Sequence, residues 1–297
     1  MSLPAMAQEQ GASFENFLLS SPSIVSPSQY YQVKGGRFEA LAGVIKSTDT
    51  DKDTDTDTDR NGTQLGAGYA QALSSQLVLG AHVKYASDTR DVTPDDLETT
   101  ATEIRPSVAF SVSPLFTLGA SININTGKLE QGSASESVSY NTFTLGGTVH
   151  QELLEASLAF TTSAEDDEKP WNRSPQTITV HGRYKFMPVL ALGLRYEQAD
   201  WPGVQASGEQ PKDETESSYA VILESAVSDN SRVEVAFIST SNSIGTDGDD
   251  TTEIFLGGGF DLTPNMELGG QIRFNSGESD STKSSGTDFA LTLSMMN

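Results

Sequence analysis

The chain of 297 residues contains no cysteine. It therefore cannot form unwanted disulfides in an oxidising space, which is compatible with transit through a periplasm. It also lacks any apolar run near the roughly 18 residues that a membrane-crossing helix needs, and its mean hydropathy is −0.34. Positive charge is scarce: 18 Lys and Arg stand against 41 Asp and Glu, a formal net charge of −23. That balance argues against nucleic acid as a partner, because binding a polyanion depends on neutralising its phosphates. The apolar fraction, 36%, is low for a packed soluble core of this length. The motifs of catalysis are missing as well. There is no G-x-S-x-G nucleophile turn and no glycine-rich phosphate loop, since Gly257-Gly-Gly259 falls inside an alternating segment. The three histidines, His82, His150 and His181, belong to no nucleophile constellation. The expectation is that the protein is not an enzyme and carries no cofactor.

What is present is a regular beat. Segments of about ten residues alternate apolar and polar side chains, joined by tight turns and polar stretches in turn. The tight turns include Val112-Ser-Pro-Leu-Phe116, Phe186-Met-Pro-Val-Leu190, Val227-Ser-Asp-Asn-Ser231 and Leu262-Thr-Pro-Asn-Met266; the polar stretches include Thr48 to Gly62, Asp88 to Thr100 and Ser276 to Gly286. Short turns at one end and long loops at the other predict an all-β, up-and-down antiparallel barrel that crosses an outer membrane. Period-two counting gives about fourteen strands: 37–47, 62–73, 77–87, 102–112, 116–126, 138–149, 152–162, 176–186, 190–199, 217–227, 231–240, 252–262, 266–275 and 286–296. An even number puts both termini on the short-turn, periplasmic side. Only the lipid-facing half of such a barrel must be apolar, which explains the low hydropathy.

The alternation also assigns faces. Along 266–275, Met266, Leu268, Gly270, Ile272 and Phe274 point outward, with Glu267, Gly269, Gln271 and Arg273 inward. Aromatics provide a second test, because those on the outside should collect in girdles at the two interfaces. Phe38, Phe110, Phe116, Phe186 and Phe260 fall beside the short turns; Tyr85, Phe143, Phe160, Tyr196, Tyr219, Phe274 and Phe289 fall toward the long loops. Together the segments from Arg37 to Met296 resemble bacterial outer-membrane porins of the fourteen-strand size class, of outer membrane protein G-like or FadL-like architecture. The resemblance covers nearly the whole barrel and rests on architecture rather than on a family motif. It implies location in the outer membrane of a Gram-negative bacterium, surrounded by lipid and lipopolysaccharide, with small solutes or cations as cargo. No outward face looks specialised for a neighbour, so a monomer is expected.

Three regions follow. Residues 1–7, with Pro4-Ala-Met-Ala7 before Gln8, read as a signal-peptide remnant or tag. Residues 8–36 stand outside the alternation and form a leader that either plugs the lumen or hangs in the periplasm. Residues 37–297 are the barrel.

Inward parity selects the candidate pore-lining residues Lys84, Arg105, Arg183, Arg195, Glu197, Glu224, Arg232, Glu234, Asp261, Glu267 and Arg273. The turns predict that Glu224 faces Glu234 and that Asp261 faces Glu267, like charges that are unfavourable unless hydrated or balanced. Basic and acidic groups on opposite walls would impose a transverse field on passing solutes; the alternative is local salt bridging. Inward glycines (Gly66, Gly68, Gly193, Gly257, Gly259 and Gly269) favour open space. The Asp-Thr run Asp49 to Asp59 invites a divalent-cation reading, with Asp55, Asp57 and Asp59 as candidate ligands. It departs from an EF-hand, however, because the twelfth loop position is Gly68 where a bidentate Glu is required. The functional expectation is passive diffusion of small hydrophilic solutes with cation preference. The alternatives are a plugged, FadL-like transporter of a hydrophobic or specific solute, and a surface-interaction barrel with acidic loops.

Overall fold

In a computed structural model, residues 27–32, 35–52, 56–92, 96–164, 174–204, 212–228, 230–244, 247–263, 265–278 and 282–296 are described. Fourteen antiparallel strands close on themselves: β1 (Gly36–Asp51), β2 (Thr56–Ala72), β3 (Leu77–Arg90), β4 (Leu97–Ser113), β5 (Phe116–Gln131), β6 (Ala134–His150), β7 (Leu154–Thr161), β8 (Gln176–Met187), β9 (Leu190–Val204), β10 (Lys212–Ser228), β11 (Ser231–Ile244), β12 (Asp247–Thr263), β13 (Met266–Glu278) and β14 (Thr282–Met296). Each strand pairs with its sequence neighbours, and β1 closes on β14 through pairs from Arg37↔Met296 to Asp51↔Thr282. Closure satisfies every backbone edge within the sheet, the condition for crossing hydrocarbon without water.

The outer face is greasy. Leu65, Leu145, Leu158 and Leu194 each turn more than half of their surface outward, as lipid-facing side chains do. The aromatic bands fall where the alternation predicts. Phe38 pairs with Tyr69, and Leu77 with Phe110, near the short turns. Toward the other end Tyr196 lies beside Tyr219 with ring centroids 4.9 Å apart.

Most strands run longer than the membrane-sized spans expected, although β7, at 8 residues, is shorter. The stretch from Thr48 to Gly62 is mostly strand, with β1 and β2 paired up to Asp51↔Thr56. The Asp-Thr repeat explains why. Period-two polar residues suit a solvated ribbon, and Thr48 and Thr50 donate side-chain hydrogen bonds to Asp59 (2.8 Å) and Asp57 (2.7 Å) on the opposite strand. β5 and β6 likewise continue to Gln131↔Ala134, where Gly132 takes the left-handed conformation (φ 56°) that a two-residue hairpin turn requires. The outer ends of β1–β2 and β5–β6 are therefore raised hairpins.

At the periplasmic end the turns are tighter than the expected three residues. Ser228 faces Ser231 and Thr263 faces Met266, and one-residue register shifts at 226/228 and 261/263 absorb the difference. Such bulges leave the strands above in the expected register. Glu224 accordingly faces Glu234, and Asp261 faces Glu267.

One piece of the leader is inside this frame. Residues Pro27–Gln32 form a short 3-10 helix that packs on β4, β5 and β6.

Candidate functional site

The interior is the site, and it has three levels. The lowest, at the periplasmic mouth between β8 and β13, is ionic. Arg183 grips Glu224 with two nitrogens, Nε at 2.9 Å and Nη2 at 2.6 Å from the carboxylate. Arg232 donates to Glu267 at 2.5 Å. Both pairs reach over an intervening strand, so all four side chains lie on the concave face. A cavity of about 220 Å³ opens here, lined by Arg183, Lys185, Glu224, Arg232 and Glu234. Asp261, opposite Glu267, is exposed at the rim.

Above this level, on β10–β12 alone, lies a short apolar belt formed by Ala220, Ile222, Ala236, Ile238 and Phe255, all buried, with Ala220 paired to Arg195 on β9. Inward parity did not reveal it among the candidate charges, but a signal was available. Tyr219 to Leu223 and Val235 to Ile238 are apolar without interruption, so both faces of β10 and β11 are apolar at this height.

The upper level is again ionic. Arg195 donates to its neighbour Glu197, which also accepts from Thr179 at 3.0 Å. Arg273 bonds Asp288, with Nε at 2.7 Å, and stands 3.5 Å from Glu253. Arg60 pairs with Asp88 at 2.9 Å, and Arg90 lies 3.6 Å from Asp49. On the β3–β4 wall Arg105 contacts Glu103 at 2.6 Å beside buried Lys84 and His82.

Of the predicted lining residues, Lys84, Arg195 and Glu234 are buried and Arg183, Glu224, Arg232 and Glu267 line cavities, while Asp261 is exposed; the arrangement of charges favours local salt bridging over a transverse field. Acids and bases are adjacent, usually two residues apart on one strand or one or two strands away. Charges drawn from water are stabilised by the nearest opposite partner, and that attraction weakens with separation. The predicted open space beside inward glycines is also corrected. A Cβ on Gly68 would lie 2.5 Å from the His82 ring, one on Gly257 2.8 Å from the Phe255 ring, and one on Gly259 2.4 Å from Glu267. These glycines make room for large neighbours. Gly66 keeps ordinary spacing, its nearest neighbour 3.7 Å away.

The leader helix uses the same device. A Cβ on Gly119 would lie 2.2 Å from the Ser28 nitrogen and 2.4 Å from the Pro27 carbonyl carbon. The Ser28 hydroxyl is 2.7 Å from that of Thr148, and Gln29 donates to Glu155 at 2.7 Å. Gly119, Thr148 and Glu155 all face inward near the periplasmic turns, so the helix rests against the inner wall there.

Of the candidate cation ligands, Asp57 and Asp59 hold threonines in the raised hairpin, and Asp55 lies outside the described residues. Among the described residues no group of three or more His, Asp or Glu is placed to hold a metal ion. Residues 1–26, including the signal-peptide remnant and most of the leader, also lie outside them.

A family model described as Gram-negative porin matches residues 109–280. No curated relative matches the chain. Among solved structures, a Pseudomonas aeruginosa FadL homologue superposes with TM-score 0.73 at 11% identity, covering 91% of this chain and 92% of that one. The Ralstonia pickettii toluene transporter TbuX gives 0.73 at 10% identity, over 93% and 94%. The Pseudomonas putida toluene transporter TodX gives 0.68 at 9% identity, over 93% of each. At such identities the likeness is one of fold.

Proposed function

Because the chain belongs to the Gram-negative porin family, we propose that it is a gated outer-membrane channel for small solutes with an apolar part. In this reading the leader around Pro27–Gln32 serves as the hatch. The observation that carries it is the leader helix seated inside the barrel wall on Gly119, where a side chain would exclude it. An open diffusion pore needs no such seat. Two further features agree. The belt around Ile222, Ile238 and Phe255 makes one stretch of the inner wall apolar, which lowers the cost of passage for apolar groups that reach it. The lumen arginines are already paired, leaving less bare charge to attract simple ions. The barrels named as toluene transporters show that this architecture serves such solutes elsewhere.

The test is removal of residues 8–36. Single-channel conductance in a planar bilayer should rise sharply, with folding checked by heat-modifiable gel migration. Equal conductance of the full and shortened proteins would remove the hatch and restore the reading of an open, cation-preferring pore for hydrophilic solutes.

A further inference from the structure

The charges at the periplasmic mouth are not all accounted for by one another. Arg183 is engaged by Glu224 and Arg232 by Glu267. Glu234, directly opposite Glu224, is 6% exposed, and its Oε1 has no hydrogen-bond partner among the described residues. It lines the 220 Å³ cavity. A buried carboxylate oxygen without a partner is costly, so its position calls for an explanation.

The surroundings specify what would satisfy it. On β11 the inward residues following Glu234 are Ala236 and Ile238, and on β10 those preceding Glu224 are Ile222 and Ala220, all in the apolar belt. On β12, Gly257 is the cross-strand partner of Glu234, and the Phe255 ring leans over it, occupying the place a Cβ would need. The carboxylate is thus flanked by an aromatic ring, with buried apolar residues above it and, below, a cavity that Arg183, Lys185 and Arg232 also line, the two arginines being held by Glu224 and Glu267. An ammonium group suits both the anion and a nearby ring face, while an attached hydrocarbon suits the belt.

We infer that the channel has a binding station for an amphipathic cation, with the ammonium at Glu234 beside Phe255 and the apolar body against Ile222 and Ile238. This rests on the gated-channel reading and names its solute class as an organic amine. The net charge of −23 would concentrate such cations at the surface.

The experiment is calorimetric titration of the full chain in nanodiscs with n-hexylammonium, n-hexanol and hexanoate, empty discs being subtracted. Hexylammonium should bind at least tenfold more tightly than hexanol, and hexanoate least. Glu234→Gln, which keeps shape and removes charge, should abolish the difference between hexylammonium and hexanol. Phe255→Leu should weaken hexylammonium by a smaller factor. Equal binding of hexylammonium and hexanol to the unaltered chain, or undiminished preference in Glu234→Gln, overturns the station while leaving an apolar-solute channel intact. No binding of any of the three overturns both the station and the apolar-solute reading.

Discussion

Substituting Gly119 by Ala tests the hatch with one methyl group. The added Cβ would stand 2.2 Å from the Ser28 nitrogen and 2.7 Å from its Cα, whereas real Cβ contacts essentially never fall below 3.0 Å. The obstructing atoms are backbone, so no side-chain rotation relieves the clash and the helix must leave its seat. Leaving breaks the Ser28–Thr148 hydroxyl contact and the Gln29–Glu155 bond. A neutral hydrogen bond contributes about 1 kcal/mol net and one to a carboxylate about 1.5–3. Their joint loss of roughly 2.5–4 kcal/mol corresponds to about a 10²- to 10³-fold shift from seated to unseated helix. Alanine is compatible with a strand, so the barrel should keep its heat-modifiable migration. In single-channel recordings Gly119→Ala should reproduce the high conductance of the leader deletion. A control uses the absence of native cysteine: the double variant Ser28→Cys, Thr148→Cys should be locked closed when oxidised and released by reductant. Wild-type conductance in a correctly folded Gly119→Ala protein would refute the reasoning, because it would mean that the seated helix does not obstruct flow.

Other consequences can be measured directly. Neutralising Arg195 and Arg273 leaves Glu197, Glu253 and Asp288 without their cations, so reversal potentials under a salt gradient should move toward stronger cation preference; unchanged potentials would remove both arginines from the filter. Asp288 is 2% exposed, and Arg273→Gln alone should cost about 3–5 kcal/mol, the usual penalty for stranding one member of a buried pair, seen as a lower urea midpoint for unfolding from lipid vesicles. On the outer face, Leu158→Arg should cost about 2–4 kcal/mol in the same assay if the residue lies near the bilayer midplane; a neutral result would mean that this face does not meet hydrocarbon.

The barrel was legible in the sequence because a period of two is a local property: each residue's face follows from its neighbours, and lipid on one side enforces it along every strand. The strand number, the outward aromatics and the opposition of Glu224 to Glu234 could all be read this way. The strand ends could not, since the raised hairpins are held by cross-strand partners such as Thr50 and Asp57 rather than by a change of composition. The interior was legible only as a set of inward charges. Which cation neutralises which acid depends on reach over intervening strands, as Arg183 reaches Glu224 from β8 to β10, and alternation carries no information about that.

By itself, then, the sequence determined a closed antiparallel membrane barrel and the alternation of its two faces, because hydrophobic periodicity and turn length act within a few residues of one another. Only the tertiary structure decided that inward glycines receive their neighbours' side chains rather than open space, that the lumen carries an apolar belt on β10–β12, that Glu234 Oε1 has no hydrogen-bond partner among the described residues, and that part of the leader is seated on Gly119. These depend on distances between residues as far apart as Gln29 and Glu155, which only closure of the barrel brings together.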